Sequence, residues 1–408
     1  MPETSEKHTL SGRVDVLDGV RVICVFFVAW FHIWQQSWLT PSFTVGSLRI
    51  SLDFITRSGY IFVDGLILLS GFLLFLPYAR YKWEGGKRPG GRDFYIRRVM
   101  RIVPSYYFCI LALLLFEAIP QGKYNSLGAL LQDVFMHATF THTLTAQTYL
   151  HTPLNGALWT LGVEAQAYLI FPFLAWAFLK KPAITYLLMT GAAFLYRGLV
   201  QQYTEESTLF FNQLPAFLDV YANGMLASFL YAALKKRKFT QGMPAKIVAA
   251  ALALGAAYAV TLLMKNQASQ SGQEAIRICQ MNQRYLLTAA LAAVMLGLTF
   301  TFSGVRFLFG NRVMAFLSGI SFNFYIWHQL LSVWLKNWNI PLHKAPYPNM
   351  AGEQPWQTQY TFVCFFGAML VAAALTYGLE KPGAKLIAKA FRRGEKTYER
   401  PADGAISA

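Results

Sequence analysis

Residues 17–32 read Leu17-Asp-Gly-Val-Arg21-Val-Ile-Cys-Val-Phe-Phe-Val-Ala-Trp-Phe-His32 and lie inside the first long apolar segment of the chain. Ionisable side chains are costly at membrane depth, and they usually face the protein interior or a wet cavity. Arg21 and His32 are separated by about three helical turns, so they fall on one helical face, roughly 16 Å apart along the axis. The stretch predicts a membrane helix with a fixed cation at one end and a titratable imidazole toward the other.

The composition extends this prediction to the whole chain. Of its 408 residues, 55% are hydrophobic and only 14% are charged, whereas about a quarter are charged in a typical globular protein. The apolar residues come in runs of about twenty, which is long enough to cross the hydrocarbon core of a bilayer. We therefore predict an all-α, polytopic membrane bundle of about ten transmembrane helices. The expected spans are residues 14–38, 59–79, 99–119, 156–179, 183–201, 213–234, 245–264, 285–303, 313–335 and 359–380.

The distribution of positive charge predicts the orientation. The net charge is +16, and roughly three quarters of the lysines and arginines fall in loops on one side, as the positive-inside rule expects for the cytoplasmic face. This placement argues against nucleic acid as a partner. We expect a cytoplasmic segment 1–13, a membrane domain 14–380 and a basic tail 381–408, with both termini cytoplasmic. The first apolar run is interpreted as a retained span, because no cleavage site follows it. We expect the membrane to be a bacterial cytoplasmic membrane.

An aspartate lies in the second span. Asp64 would cost roughly 2.5–3.5 kcal/mol at a helix centre without a partner, so we expect a cation or an imidazole beside it. Ser70 and Gly71 follow it on the same span. Their simplest interpretation is close packing against another helix.

A cluster of arginines precedes the third span. Arg98 and Arg101 lie on one helical face, one turn apart, and Arg97 is adjacent. The planar guanidinium group is well suited to binding phosphate. The alternative is a cluster that only fixes topology and touches lipid headgroups.

Other polar residues within the spans are candidates for a site. Glu164 lies two turns into the fourth span, at the depth expected of His32, where a carboxylate can orient an imidazole. A structural ion pair is the alternative. His328 is either a second site residue or part of an aromatic belt, and Glu380 is expected to form a surface ion pair. We do not expect His137, His142 and His151 to bind metal, since their spacing is loose.

These residues fall into motifs that resemble the acyltransferase-3 family of integral membrane acyltransferases over essentially the whole chain. In chain order the matching elements are Arg21 with His32, Val63-Asp64 with Ser70-Gly71-Phe72-Leu73, Arg98-Val99-Met100-Arg101-Ile102-Val103-Pro104, Trp159-Thr160-Leu161-Gly162-Val163-Glu164, Tyr325-Ile326-Trp327-His328, and Glu380-Lys381-Pro382. The chain departs from the usual pattern at Val22, at Gly65-Leu66 and at Thr160. These changes affect packing rather than reactive groups.

The resemblance implies transfer of an acyl group, most commonly acetyl from cytoplasmic acetyl-CoA, to a hydroxyl of a surface carbohydrate or another small extracytoplasmic or membrane-associated acceptor. No metal is expected. The identity of the acceptor, the length of the acyl chain and the oligomeric state do not follow from the sequence. A polytopic transporter that uses the same buried ionisable residues for coupling is the alternative from another class, and a sensor or scaffold with a degenerate site is a third.

We hypothesise a role for each matching residue. The phosphates of CoA meet Arg97, Arg98 and Arg101, with Ser70 also in the donor site. His32 acts as general base, Glu164 or Asp64 orients it, and Arg21 lines the donor path. A covalent acyl-histidine intermediate is an alternative to direct transfer. Further site residues are Trp159, Tyr325, His328 and Glu380.

Overall fold

The structure, a computed structural model, describes residues 13–85, 88–204 and 207–398. It is almost entirely helical, as predicted, and it adds one exposed antiparallel hairpin formed by β1 (Ser42–Val45) and β2 (Leu48–Ser51). Residues 1–12 of the predicted N-terminal segment and residues 399–408 of the predicted tail lie outside the described residues.

The helices, in chain order, are α1 Val16–Ser37, α2 Asp53–Ser58, α3 Phe62–Glu84, α4 Gly91–Leu113, α5 Leu127–Ala138, α6 Ala146–Tyr149, α7 Trp159–Lys180, α8 Pro182–Tyr203, α9 Thr208–Phe211, α10 Leu218–Lys235, α11 Met243–Ala268, α12 Gln273–Phe300, α13 Ser303–Phe309, α14 Arg312–Asn337, α15 Trp356–Leu375 and α16 Lys381–Tyr398. A wide π turn, Thr376–Glu380, joins α15 to α16, so the first part of the predicted tail continues the last long helix.

Nine helical segments of the described residues have the length and hydropathy needed to cross a membrane. They contain α1, α3, α4, α7, α8, α10, α11, α12 and α15. Helix α14, with 26 residues, is not among the nine but packs on both α1 and α15. The prediction of a polytopic bundle of about ten helices is confirmed.

One predicted boundary was wrong. Residues 265–284 were expected to form an outer loop, but α11 extends to Ala268 and α12 begins at Gln273. The polar start of α12 lowers the local hydropathy and so resembles a loop in the sequence. In the folded chain three of its polar side chains turn inward, since Gln280, Gln283 and Arg284 are buried.

Helix α1 lies at the centre of the contacts that build the site. It packs on α3, α14 and α15. A Cβ atom on Gly65 of α3 would lie 2.9 Å from Cys24 Sγ, and one on Gly59 would lie 2.2 Å from the Phe27 carbonyl oxygen. Helix α3 therefore runs antiparallel to α1. We refer to the end of the bundle where α1 begins as the lower end and the end where α1 finishes as the upper end.

Helices α3 and α10 also cross closely beside this centre. A Cβ atom on Gly224 would lie 2.4 Å from the Leu68 carbonyl oxygen, and one on Gly71 would lie 2.9 Å from the Tyr221 carbonyl oxygen. Small residues let two backbones approach in this way. Gly71 thus serves helix packing, which is the role the sequence indicated for it.

We expect Gly224→Ala to destabilise the protein by about 1–3 kcal/mol, because the added methyl group overpacks the crossing. Thermal unfolding of the purified protein in detergent measures this change. Gly255→Ala on α11 is the matched control, since a Cβ atom there meets nothing within 4 Å. Equal melting temperatures for the two variants would contradict the close crossing.

Candidate active site

A cavity of about 140 Å³ lies between α1, α3, α4, α7 and α14. Its walls bring together residues from five separate segments of the sequence. The polar residues that line it are Arg21, Ser70, Arg98, Arg101, Thr160, Glu164, Tyr168, Ser321 and Tyr325. The lining thus contains three arginines but a single carboxylate, that of Glu164, so the cavity carries an excess of positive charge that favours an anionic ligand.

Arg98 and Arg101 reach the cavity because they lie one turn apart on the inward face of α4. Arg98 lies against the rings of Phe94 and Tyr168, with its guanidinium carbon 5.8 and 5.7 Å from their centroids. Arg97 was expected beside them in the donor site. It is exposed and does not line the cavity, because a shift of one residue rotates a side chain by about 100° around a helix.

Glu380 holds Arg101 in place from the π turn that follows α15. Arg101 Nη1 donates to Glu380 Oε1 at 2.7 Å, and Asn323 Nδ2 donates to the other carboxylate oxygen at 2.8 Å. The expected ion pair of Glu380 forms, with Arg101 as its partner, but Glu380 is only 5% exposed, so its carboxylate is buried rather than at the surface. The pair links α4, α14 and the end of α15 at the cavity wall.

Glu164 is anchored by two hydroxyl donors. Ser70 Oγ donates to one carboxylate oxygen at 2.6 Å, and the Tyr168 hydroxyl donates to the other at 2.9 Å. The sequence placed Glu164 at the depth of His32 as its orienting partner. In the structure Glu164 instead lies on the wall of the arginine cavity, which His32 does not line. Ser70 was assigned to the donor site and does lie on this wall.

Asp64 has a cationic partner, as its depth in the second span predicted. This partner is Arg284, and not the His32 imidazole that Asp64 was proposed to orient. Arg284 Nε donates to Asp64 Oδ2 at 3.2 Å, and both side chains are fully buried. Asp64 therefore does not orient His32. Arg284 was not singled out from the sequence, because residue 284 was placed in a loop. A 28-residue helix from Gln273 would have placed it in a span.

A second buried ion pair lies beside this one. Arg197 Nη2 and Asp219 Oδ2 are 2.6 Å apart, and Arg197 and Arg284 both donate to the Ala216 carbonyl oxygen. These two pairs join α3, α8, α10 and α12. They are best explained as structural, since each charge has an opposite charge beside it.

His32 lies on α1 above the cavity, next to His328 of α14. The two ring centroids are 5.2 Å apart. His32 Nδ1 lies 3.0 Å from Gln35 Oε1, so Gln35 is the hydrogen-bond partner of the imidazole in the place expected for Glu164 or Asp64. His328 is buried, with Nδ1 2.7 Å from the Tyr325 carbonyl oxygen.

Tyr325 connects the histidine pair to the cavity. Its side chain lines the cavity, and its ring centroid lies 5.7 Å from that of His328. Trp159 begins α7 and packs against Phe217, 5.9 Å between centroids, without lining the cavity. The arrangement therefore places an arginine-lined cavity below, Tyr325 at the junction and two imidazoles above.

His137 and His142, in the segment before α7, serve packing. The rings of His137 and His142 stack at 4.2 Å, and Asp133 Oδ1 lies 3.0 Å from His137 Nδ1. Burial lowers the pKa of His142 to about 3, and the neighbouring His137 ring lowers it further. His142 is therefore neutral at physiological pH. In the described part of the chain, no group of three or more His, Cys, Asp or Glu side chains is arranged to hold a metal ion.

Comparison with known proteins places this geometry in a family. A curated relative, the peptidoglycan O-acetyltransferase OatA of Listeria monocytogenes, is 26% identical over 194 residues. The alignment covers 45% of this chain and 28% of the relative, so the chain spans less than a third of that protein. No solved structure matches the chain. The profile of the acyltransferase domain family, acyltransferase-3, matches residues 14–378. The chain is thus an integral membrane protein that belongs to the acyltransferase-3 family.

Proposed function

We propose that the protein transfers an acyl group, most commonly acetyl, from cytoplasmic acyl-CoA to a hydroxyl group of a carbohydrate on the other side of the membrane. The observation that supports this most is the arginine-lined cavity, which meets a pair of imidazoles through Tyr325. A binding site for a polyanion and a basic group thus lie next to each other inside one bundle. Membership in an acyltransferase family supplies the reaction class.

The donor binds from the lower end, which we take as the cytoplasmic face. Two of the three arginines lie near the start of α4, and each presents a fork of donors that fits phosphate oxygens. Arg21 lies deeper on α1. A cavity of about 140 Å³ accommodates a phosphate-bearing part of CoA rather than the whole molecule. The pantetheine arm therefore extends along α1 toward His32.

The reaction takes place at His32. Gln35 Oε1 accepts a hydrogen bond from the Nδ1–H group of His32. The other ring nitrogen, Nε2, therefore keeps a free lone pair. Nε2 takes the proton of the acceptor hydroxyl while the hydroxyl oxygen forms a bond to the carbonyl carbon of the thioester. The carbon–sulfur bond then breaks, and CoA leaves as a thiolate that takes up the proton. General-base catalysis of this kind typically contributes 10²–10⁴-fold.

A carbohydrate acceptor is supported by the relative, whose name identifies peptidoglycan as its substrate. Side chains around the bundle do not distinguish one sugar from another. The acceptor is therefore proposed at the level of a hydroxyl-bearing glycan.

Mass spectrometry of cell-surface glycans and small metabolites tests the proposal. Cells that carry the protein should contain O-acyl esters, most simply O-acetyl esters, that cells lacking it do not. Cells producing the His32→Ala variant serve as the matched control and should resemble the cells that lack the protein. Identical ester content in all three, together with solute movement by the purified protein in vesicles, would favour a transporter instead.

A further inference from the structure

The hydrogen bonds around His328 fix which of its nitrogens carries the proton. Nδ1 lies 2.7 Å from the Tyr325 carbonyl oxygen and 3.2 Å from that of Phe324. A carbonyl oxygen only accepts, so Nδ1 must be the protonated nitrogen. Nε2 therefore holds a lone pair, and it is buried without a hydrogen-bond partner.

The same reasoning applies to His32. Its Nδ1 donates to Gln35 Oε1, so its Nε2 is also unprotonated. Two neighbouring imidazoles thus each carry an unprotonated Nε2. An unpaired buried acceptor is costly, and its presence calls for a physical explanation.

The separation of the two rings suits a hydrogen bond to the unpaired Nε2 of His328. In an N–H···N bond between two imidazoles, the centroids lie roughly 5 Å apart, since each nitrogen is about 1.1 Å from its centroid and the bond spans about 2.9 Å. The observed separation is 5.2 Å. The rings are tilted by 48°, and His328 Nε2 has no hydrogen-bond partner, because His32 Nε2 carries no proton to donate while its ring is neutral. Once His32 is protonated, a small rotation of its half-buried ring would complete the bond.

We infer that His328 is a positioning residue whose Nε2 accepts a hydrogen bond from His32 when His32 becomes protonated during acyl transfer. The step follows from the proposed function. His32 Nε2 takes the hydroxyl proton, and a small rotation of the His32 ring then directs the new N–H bond toward the His328 lone pair. His328 keeps its own proton on Nδ1 and forms no bond to substrate. The proton returns from His32 to the departing thiolate, which restores both rings.

Two substitutions distinguish the contributions of the two ring nitrogens of His328. His328→Asn places an amide near the Nδ1 position, whereas His328→Gln reaches the Nε2 position and can offer an oxygen acceptor there. A hydrogen bond to a charged group corresponds to about a 10–100-fold change in rate. We therefore expect kcat to fall about 10–100-fold in His328→Asn and to recover most of this loss in His328→Gln. The KM for acetyl-CoA should stay unchanged in both.

The assay uses labelled acetyl-CoA and envelope membranes of the producing organism, which contain the natural acceptor. Thermal unfolding in detergent confirms that the two variants fold equally well. Equal kcat values for His328→Asn and His328→Gln, or an undiminished kcat in His328→Asn, would overturn the inference.

Nitrogen-15 NMR of histidine-labelled wild-type protein at neutral pH gives a second test that needs no activity. Both rings should appear as the tautomer with the proton on Nδ1. A proton on Nε2 of His328 would overturn the inference. If the wild-type protein transferred no acyl group, the proposed function would fail while this NMR result still decided the state of the pair.

Discussion

Replacing His32 with alanine should abolish acyl transfer, lowering the rate by about 10²–10⁴-fold or to background, because the substitution removes the group that takes the hydroxyl proton. The protein should still fold, since the side chain is half-buried and makes one hydrogen bond, to Gln35 on its own helix. Donor binding should also survive, since His32 does not line the arginine cavity. The measurements are the rate of ester formation and the affinity for acetyl-CoA on one preparation.

His151→Ala is the matched control for this prediction. His151 is exposed, lies in the segment before α7 and does not line the arginine cavity. Its substitution should leave the rate unchanged. A His32→Ala variant that retained its activity would remove His32 from the chemistry.

Removing Arg98 should weaken the binding of acetyl-CoA by about 10–100-fold, because each hydrogen bond to a charged group contributes roughly 1.5–3 kcal/mol. The Arg98→Ala variant tests this by isothermal titration in detergent. Arg97→Ala is a closely matched control, since Arg97 is the adjacent residue on α4 but is exposed outside the cavity. Its affinity should stay near that of the unmodified protein.

Arg101 needs a paired substitution. Its loss alone would leave Glu380 buried without its cation, which is strongly destabilising. In Arg101→Ala combined with Glu380→Gln, the unpaired charge is removed with the guanidinium. We expect a loss of affinity similar to that in Arg98→Ala. An unchanged affinity in both Arg98→Ala and the paired variant would contradict the assignment of this cavity to the donor.

Much of the site follows from the sequence because membrane depth makes polar side chains conspicuous. Arg21, Ser70, Arg98, Arg101 and Glu164 were all singled out in the sequence, and all line one cavity. Helical periodicity separates Arg98 and Arg101 from Arg97 in principle. Arg97 was nevertheless assigned to the donor site together with Arg98 and Arg101, although it lies on a different face of the helix.

Partners that are distant in the chain could not be derived in the same way. Asp64 and Arg284 are separated by 220 positions, and Arg101 and Glu380 by 279. Periodicity shows which face of a helix a residue occupies but not which helix packs against that face. The Asp64 carboxylate therefore appeared available to His32, whereas the fold turns it toward α12.

The start of α12 shows a second limit. Hydropathy identifies a span by its average, and a span whose polar residues face the protein interior has a low average. Arg284 lies in such a region and is fully buried. Residues 265–284 were assigned to a loop because polar side chains such as Arg284 lower the hydropathy of this region. The same side chain forms the buried ion pair with Asp64.

The central claim is that a cytoplasmic acyl-CoA supplies an acyl group that is transferred within the bundle at His32. Release of free CoA from acetyl-CoA inside sealed vesicles, with envelope glycan supplied only outside, tests it most directly. We expect CoA release inside that depends on the glycan, an equal amount of acetyl ester outside, and neither product with His32→Ala. Ester formation without enclosed acetyl-CoA, or an undiminished yield with His32→Ala, would contradict it.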